Sequence, residues 1–232
     1  EKINGLASFT YTMPQTQYDV TSITVRNIEI PYSFYNFSVN LKNTFCSVND
    51  SVKTIYDGDY DSTNLFNELN TATGITFSIN PLDNKVEILN NTVQDISLNF
   101  DVDENGAYDR NNLKSKLGWC LGFREPFYKI TSTNTIEAEA VLNLNPTKYL
   151  YLVLDDFQQN NHNNFIVPMY QNLLNKNVLA RISIDPNSHT FGSIISVNSE
   201  GGRLLSSKRT YSGKVDLQRF KFELVNEWGQ VM

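Results

Sequence analysis

The chain of 232 residues has little of what most catalytic sites are made from: two cysteines, Cys46 and Cys120, and two histidines, His162 and His189. Two widely separated cysteines are too few for a metal knuckle or a disulfide framework, so both are expected as buried free thiols. Few side chains titrate near neutrality, which removes most acid–base and nucleophilic chemistry. Both histidines sit in polar, loop-like stretches, His162 inside the run Asn160-Asn161-His162-Asn163-Asn164 and His189 after Pro186-Asn187-Ser188. Each is expected to be a solvated loop residue. Serine-elbow, phosphate-cradling glycine-loop, HExxH and paired-cysteine motifs are all missing, and no cofactor is implied.

Basic charge is also scarce. The net charge of −6 and a pI near 5.0 leave no global field to draw in a polyphosphate backbone, so nucleic acid is not an expected partner. No apolar run has the length that spans a bilayer, and residues 1–20 lack the charged-then-apolar layout of a signal peptide, although removal of an upstream leader is compatible with this. Membrane insertion is not expected. Repeats, charge blocks and Pro/Gly/Ser linkers are missing too, so residues 1–232 read as one domain, with room for an embedded subdomain and with residues 1–22 as an N-terminal extension.

What is present points to an all-β protein. A hydrophobic fraction of 40% with 14 Phe and 12 Tyr can bury a core large enough to offset the ordering entropy. Ile75 to Ile79 alternates apolar with polar residues, and after Pro81-Leu82-Asp83-Asn84 the alternation resumes with Val86 and Ile88, which predicts a hairpin with one wet face. Further strands are predicted over Ile23–Ile30, Ser33–Val39, Val93–Phe100, Val178–Ile184 and Phe191–Val197. Tyr149 to Leu154 is apolar at both parities, as expected of a strand covered on both faces. Near the C-terminus Phe220, Phe222 and Leu224 have the opposite parity to Val215 and Leu217, which predicts a long final strand divided by a bulge. Two short packing helices are predicted: Ser62 to Asn70, with Leu65, Phe66 and Leu69 on one side, and Arg110 to Leu121, with Asp109 as cap and Gly122 as stop. Many short strands separated by turns make a sandwich or barrel.

Few residues suggest local chemistry. Asp101, Asp103, Asn105, Gly106 and Asp109 copy the first part of a calcium loop, but the twelfth position is Asn112 and a strand precedes the loop, so a turn capping the next helix is the plainer reading. Asp155 and Asp156 are adjacent on a strand and therefore point to opposite faces, which disfavours a shared carboxylate site. Arg203, Lys208, Arg209, Lys214, Arg219 and Lys221 gather basic charge in an acidic chain, either as a docking patch for an acidic neighbour or as a solvated face. Asn36, Asn49 and Asn91 lie in triplets resembling glycosylation acceptors, which chance supplies in a chain this rich in asparagine.

Several phrases, in order and covering most of the chain, resemble minor capsid or penton-like virion proteins of nucleocytoplasmic large DNA viruses and related polinton-like elements. They are Ile28-Glu29-Ile30-Pro31-Tyr32-Ser33-Phe34-Tyr35-Asn36-Phe37, Tyr56-Asp57-Gly58-Asp59-Tyr60 with Glu68-Leu69-Asn70, the hairpin Ile75 to Ile88, Leu117-Gly118-Trp119-Cys120-Leu121-Gly122-Phe123-Arg124, the strand Tyr149 to Asp155, Val178-Leu179-Ala180-Arg181-Ile182, and Phe220 to Gln230. The resemblance implies a jelly-roll-type antiparallel β-sandwich, a structural and non-enzymatic role in an icosahedral shell, and a major capsid protein, other shell proteins and further copies of the chain as partners. It also implies that the gene product continues past residue 232. Tyr32, Tyr35, Phe123, Phe127 and Tyr128 are candidate interface anchors because aromatic side chains give large contact area for little entropy lost, with Arg203, Lys208 and Arg209 as candidate charged contacts. A carbohydrate-binding sandwich used in virion attachment, with a glycan as ligand, is the alternative, and a hydrolase on a β scaffold a third reading.

Overall fold

A computed structural model describes residues 7–159, 161–162 and 177–232, apart from the side chains of residues 110–112 and 161. The chain divides into two compact units, Glu1–Phe34 with Thr147–Met232, and Tyr35–Pro146. Composition does not change at either junction, which is why the sequence alone reads as one unit. The first unit opens with β1 (Ser8–Ile23) and β2 (Asn27–Pro31). The inserted unit contributes β3 (Phe45–Val48), β4 (Ser51–Thr54), α1 (Ser62–Thr73), β5 (Thr76–Ile79), β6 (Lys85–Leu89), β7 (Ile96–Asn99), α2 (Leu117–Leu121), β8 (Phe127–Ile130) and β9 (Thr135–Val141). The chain then completes the first unit with β10 (Tyr149–Asp155), β11 (Asn161–His162), β12 (Val178–Ser183), β13 (Ile194–Asn198), β14 (Leu204–Ser206) and β15 (Arg209–Asn226).

Strand pairing in the first unit is nested. β1 pairs with β15, β2 with β13 and β10 with β12, all antiparallel, so the chain runs out along one side of a ribbon and returns along the other. β10 also pairs with β15, which rolls the ribbon into one sheet of order β1-β15-β10-β12-β14 and a second sheet of β2 and β13. Nested pairs rolled into two sheets are the wiring of a jelly roll. Leu150, Ala180, Ile182, Leu204 and Leu224 of the larger sheet pack with Ile195, Val197, Ile28 and Ile30 of the smaller one. On the opposite face Tyr151, Val153, Val178 and Val225 form their own cluster. β10 therefore buries both of its faces, as its double-apolar pattern predicts. Each such side chain contributes roughly 1.5–3 kcal/mol.

The inserted unit is a second antiparallel sandwich, with sheets β4-β3-β7-β8 and β5-β6-β9 and helix α1 around one core. The β5–β6 hairpin turns Val86 and Ile88 fully inward, as its alternation predicts. Asp61 caps α1 by accepting from Asn64 N at 2.8 Å, and Gly74 ends it in the left-handed region at φ 73°. Leu65, Phe66 and Leu69 are its buried side.

Several expectations are corrected. Ser8–Ile23, expected within an extension, is β1, an exposed edge strand in which the alternation of Phe9, Tyr11 and Met13 with polar residues is not sustained along the rest of the strand. Ile23–Ile30 spans the end of β1 and the start of β2, and Ser33–Val39 contains no strand, only a bridge from Phe37 to Gly58. The helix expected over Arg110–Leu121 is a 3-10 turn, Arg110–Ser115, followed by α2. It breaks at Lys116, whose extended backbone (φ −82°, ψ 162°) accompanies a fully buried ammonium, and Asp109 makes no side-chain cap bond. β3 and β4 meet in a hairpin whose Asn49 and Asp50 both have positive φ, 49° and 62°, the type I′ turn. Asn49 is thus an exposed turn residue, whereas Asn36 is buried against Tyr60 and Leu144 and offers no open glycosylation acceptor.

Phe100 packs against α2 where that helix carries Gly118, and a Cβ there would stand 2.3 Å from Phe100 Cγ. Gly118→Ala is expected to lower unfolding free energy by about 1–3 kcal/mol through overpacking. Gly213→Ala, with nothing within 4 Å, should stay within about 0.5 kcal/mol, as read from urea midpoints at unchanged slope.

Candidate functional site

The structure separates the interface candidates into interior and surface. Phe123 is buried and stacks on Phe100 with ring centroids 5.3 Å apart, so it is a core residue of the inserted unit and not an interface anchor. Tyr32 is buried against Phe34 in the core of the first unit, for the same reason. Tyr128 is half-buried, packing on Phe123 and donating its hydroxyl to Glu139 at 2.8 Å. Tyr35 and Phe127 are exposed, at 43% and 54%.

Most of the basic residues are engaged one by one within the chain. Arg203 binds Asp185 at 2.7 Å, Lys214 pairs with Asp19 at 3.3 Å, Lys221 pairs with Glu223 at 2.8 Å, and Arg219 lies over the Phe157 ring at 5.0 Å. Lys208 is exposed on the turn before β15. Arg209 is the largest departure: its side chain is 0% exposed. Arg209 Nη1 donates to Asp156 Oδ2 at 2.9 Å and to the Leu154 carbonyl at 2.8 Å, and Nη2 donates to the Asn177 carbonyl at 3.1 Å. Tyr211 donates its hydroxyl to the same Asp156 oxygen at 2.6 Å. Burial pushes the Asp156 carboxyl up, but hydrogen bonds from Tyr211, the Gln158 amide and Arg209 outweigh it and hold the group below its ordinary range. Burial and the Asp156 charge raise the Tyr211 phenol far above its usual value. The adjacent Asp155 faces the other way and accepts from the Phe157 amide at 2.8 Å. The aspartate pair is a strand end with one interior member.

The acidic loop is a turn built around its own residues. Asp103 Oδ1 accepts from the amides of Ala107 at 2.9 Å and Asn105 at 2.8 Å, which holds its carboxyl below the ordinary range, and Gly106 takes φ 80°. Asp101 is buried, and Asp109 faces the Lys116 ammonium at 3.4 Å, which also donates to the Val102 carbonyl at 3.3 Å. The cation at this loop is a lysine of the same chain. Among the described residues no group of three or more His, Cys, Asp or Glu is placed to hold a metal ion.

Both cysteines are free and buried, and burial pushes each thiol up to about 12. His162 is exposed on β11, with Nε2 2.9 Å from Ser212 Oγ, while the other residues of its asparagine run lie outside the described residues, apart from the backbone of residue 161. His189, expected in solvent, is only 6% exposed. Its loop folds back on it, and no periodic pattern announces that.

Sequence reasoning missed an aromatic panel on the first unit. Phe9 is the register partner of Phe222, and Tyr11 of Phe220, so four aromatic rings share one face of the β1–β15 pair. Phe9 and Phe222 stack at 5.2 Å, and Phe9 and Tyr11 are 55% and 49% exposed. The period-2 spacing of Phe9 with Tyr11 and of Phe220 with Phe222 was the available signal. Only the pairing register joins them.

The fold therefore defines an antiparallel jelly-roll protein carrying a second sandwich as an insertion between β2 and β10. No family model and no curated protein matches the chain. Among solved structures it is similar to the mavirus penton protein, at 10% identity over 98% of this chain and 86% of that chain, with a TM-score of 0.46. It is also similar to a chain of the Sputnik virophage, at 12% identity over 97% and 87% of the two chains, with a TM-score of 0.39.

Removing one partner of the buried pair leaves the other charge desolvated, so Arg209→Met is expected to cost about 3–5 kcal/mol, much of it recovered by adding Asp156→Leu. Asp156 binds its proton less readily when folded, so its contribution is present above its unfolded value near 3.8 and fades as pH falls below it. Denaturant melts of wild type and double variant from pH 7 to 3 check both statements, the double variant showing the shallower acid loss. Cys46 and Cys120 should label with a disulfide reagent only at the rate of unfolding, as read by thiol release with and without urea.

Proposed function

We propose that this chain is a structural component of an icosahedral viral capsid, a minor capsid or penton-like protein that works through contacts with neighbouring shell proteins, including a major capsid protein and further copies of itself. The observation that carries the reading is the nested jelly-roll pairing, an architecture used for shell building blocks as well as for lectins and cupins. Fold alone does not assign function. What favours the shell is that the phrases resembling virion proteins fall on scaffold elements of both units: β2, α1, the β5–β6 hairpin, α2, β10, β12 and the end of β15. The side chains that suggested chemistry are engaged in structure, Asp156 with Arg209, Asp103 with its turn, and Asp109 with Lys116. The exposed aromatic panel of Phe9 and Tyr11, with Tyr35 and Phe127 on the inserted unit, offers the kind of contact area that protein interfaces use. We place the protein in the virion shell, with neither nucleic acid nor membrane as partner and no catalytic activity.

A carbohydrate-binding role in attachment is the second reading, favoured by the strongly exposed tyrosines Tyr56 and Tyr108. Cryo-electron microscopy of the purified virion separates the two. Density for both sandwiches at symmetry-repeated shell positions is the expected result, and the axis occupied distinguishes a five-fold role from a cementing one. Absence from the ordered shell, together with a hit on a glycan array, would transfer the assignment to attachment.

A further inference from the structure

The loop between β12 and β13 is tied by a compact set of polar contacts centred on Asp185 and His189. Asp185 Oδ1 accepts from the Asn187 amide at 3.0 Å, and its Oδ2 accepts from Ser188 Oγ at 2.9 Å and from Arg203 Nη2 at 2.7 Å. Arg203 also donates to Ser188 Oγ at 3.1 Å. The His189 amide donates to the Asp185 carbonyl at 2.8 Å, and the Asp185 amide donates to His189 Nδ1 at 3.2 Å. That last bond fixes the ring: Nδ1 accepts, so it carries no proton and the imidazole is neutral. Beyond the histidine the loop docks on the first unit's core, where Gly192 N donates to the Tyr32 carbonyl at 2.8 Å and the Phe191 ring lies 6.4 Å from that of Tyr32.

We propose that this loop, residues 184–193, is an acid-released latch held shut by neutral His189. Protonating Nδ1 would set an N–H against the Asp185 N–H and replace an attraction by a repulsion. The charged groups acting on the ring are Arg203, reaching in from the segment before β14, and Asp185. Arg203 opposes a second positive charge. Asp185 favours it, but that carboxylate already accepts from Arg203, Ser188 and Asn187, which keeps it ionised through mild acid. Burial first, and Arg203 second, lower the proton affinity of His189 below the ordinary 6.5. The sign follows: the open loop binds the proton more tightly, so closure is complete above 6.5 and weakens as pH falls below it. Opening would undo the backbone bonds between Tyr32 and residues 192 and 193 and release Phe191, already 44% exposed, from its edge contact with the Tyr32 ring.

Hydrogen exchange read by mass spectrometry on the full chain tests this, with rates corrected for intrinsic pH dependence. Protection of the 184–193 peptide is expected to fall by up to about tenfold between pH 7 and 5.5, while the β10 peptide is unchanged. His189→Asn keeps an acceptor near the Nδ1 position without a titratable proton and should abolish the pH dependence while leaving the loop protected at pH 7. Unchanged protection in the wild type, or a pH dependence that survives in His189→Asn, overturns the latch. Should that variant fail to fold, the ring proton of His189 followed by NMR in a His162→Gln background decides: a midpoint below 6.5 supports the latch and one at or above it refutes it.

Discussion

Strand β15 must be paired along both of its edges at once, and the first unit depends on that constraint. It is bonded to β1 on one side and to β10 on the other, so a single strand joins the beginning of the chain, its middle and its end. Because β1 pairs, among the described residues, with β15 alone, loss of that pairing would detach it from the sheet. The buried Arg209–Asp156–Tyr211 cluster sits where β15 begins and β10 ends, tying the first residues of one strand to the last turn of the other. A buried ion pair is weak evidence of net stability, since well-packed apolar residues can do as well. Its directional bonds to the Leu154 and Asn177 carbonyls nonetheless determine where the strands meet.

The same wiring explains how a second sandwich can be carried within the first. The insertion lies between β2 and β10, two strands that do not pair with each other. Loop-closure entropy grows only with the logarithm of loop length, so a long insertion there costs little more than a short one, provided that it folds on its own core. The inserted unit has such a core, running from Phe37 and Cys46 through Phe100 to Ala138. The cost falls on folding speed, because pairing β1 with β15 joins residues from opposite ends of the chain.

Legibility in the sequence followed local physics. The β5–β6 hairpin, α1 with its buried side of Leu65, Phe66 and Leu69, and the doubly buried β10 were readable because alternation, helical apolar spacing and a two-faced apolar run are local properties. β1 was not, since its alternation at Phe9, Tyr11 and Met13 soon lapses and the strand is exposed over most of its length. The break at Lys116 was hidden for another reason: the four-residue spacing of Leu113, Leu117 and Leu121 predicts a continuous helix, but a buried ammonium reaching Asp109 and Val102 overrides it. Charge was the least legible feature. In sequence, Arg203 to Lys221 reads as one basic patch, whereas in space Asp185, Asp156, Asp19 and Glu223 each neutralise a different member. Tyr32 and Phe123 show the matching difficulty for aromatics, where residue type does not separate core from surface. The aromatic panel needed a register between segments far apart in the chain, which no local pattern supplies.

The central claim is that this double sandwich is built into a shell, and the most direct measurement is its copy number in purified virions, by quantitative mass spectrometry against isotope-labelled peptides from both units. A shell position repeated by symmetry predicts a fixed ratio to the principal shell protein that survives salt washing and is the same from one preparation to the next. A ratio that varies between preparations, or a protein that washes away entirely, would contradict the account.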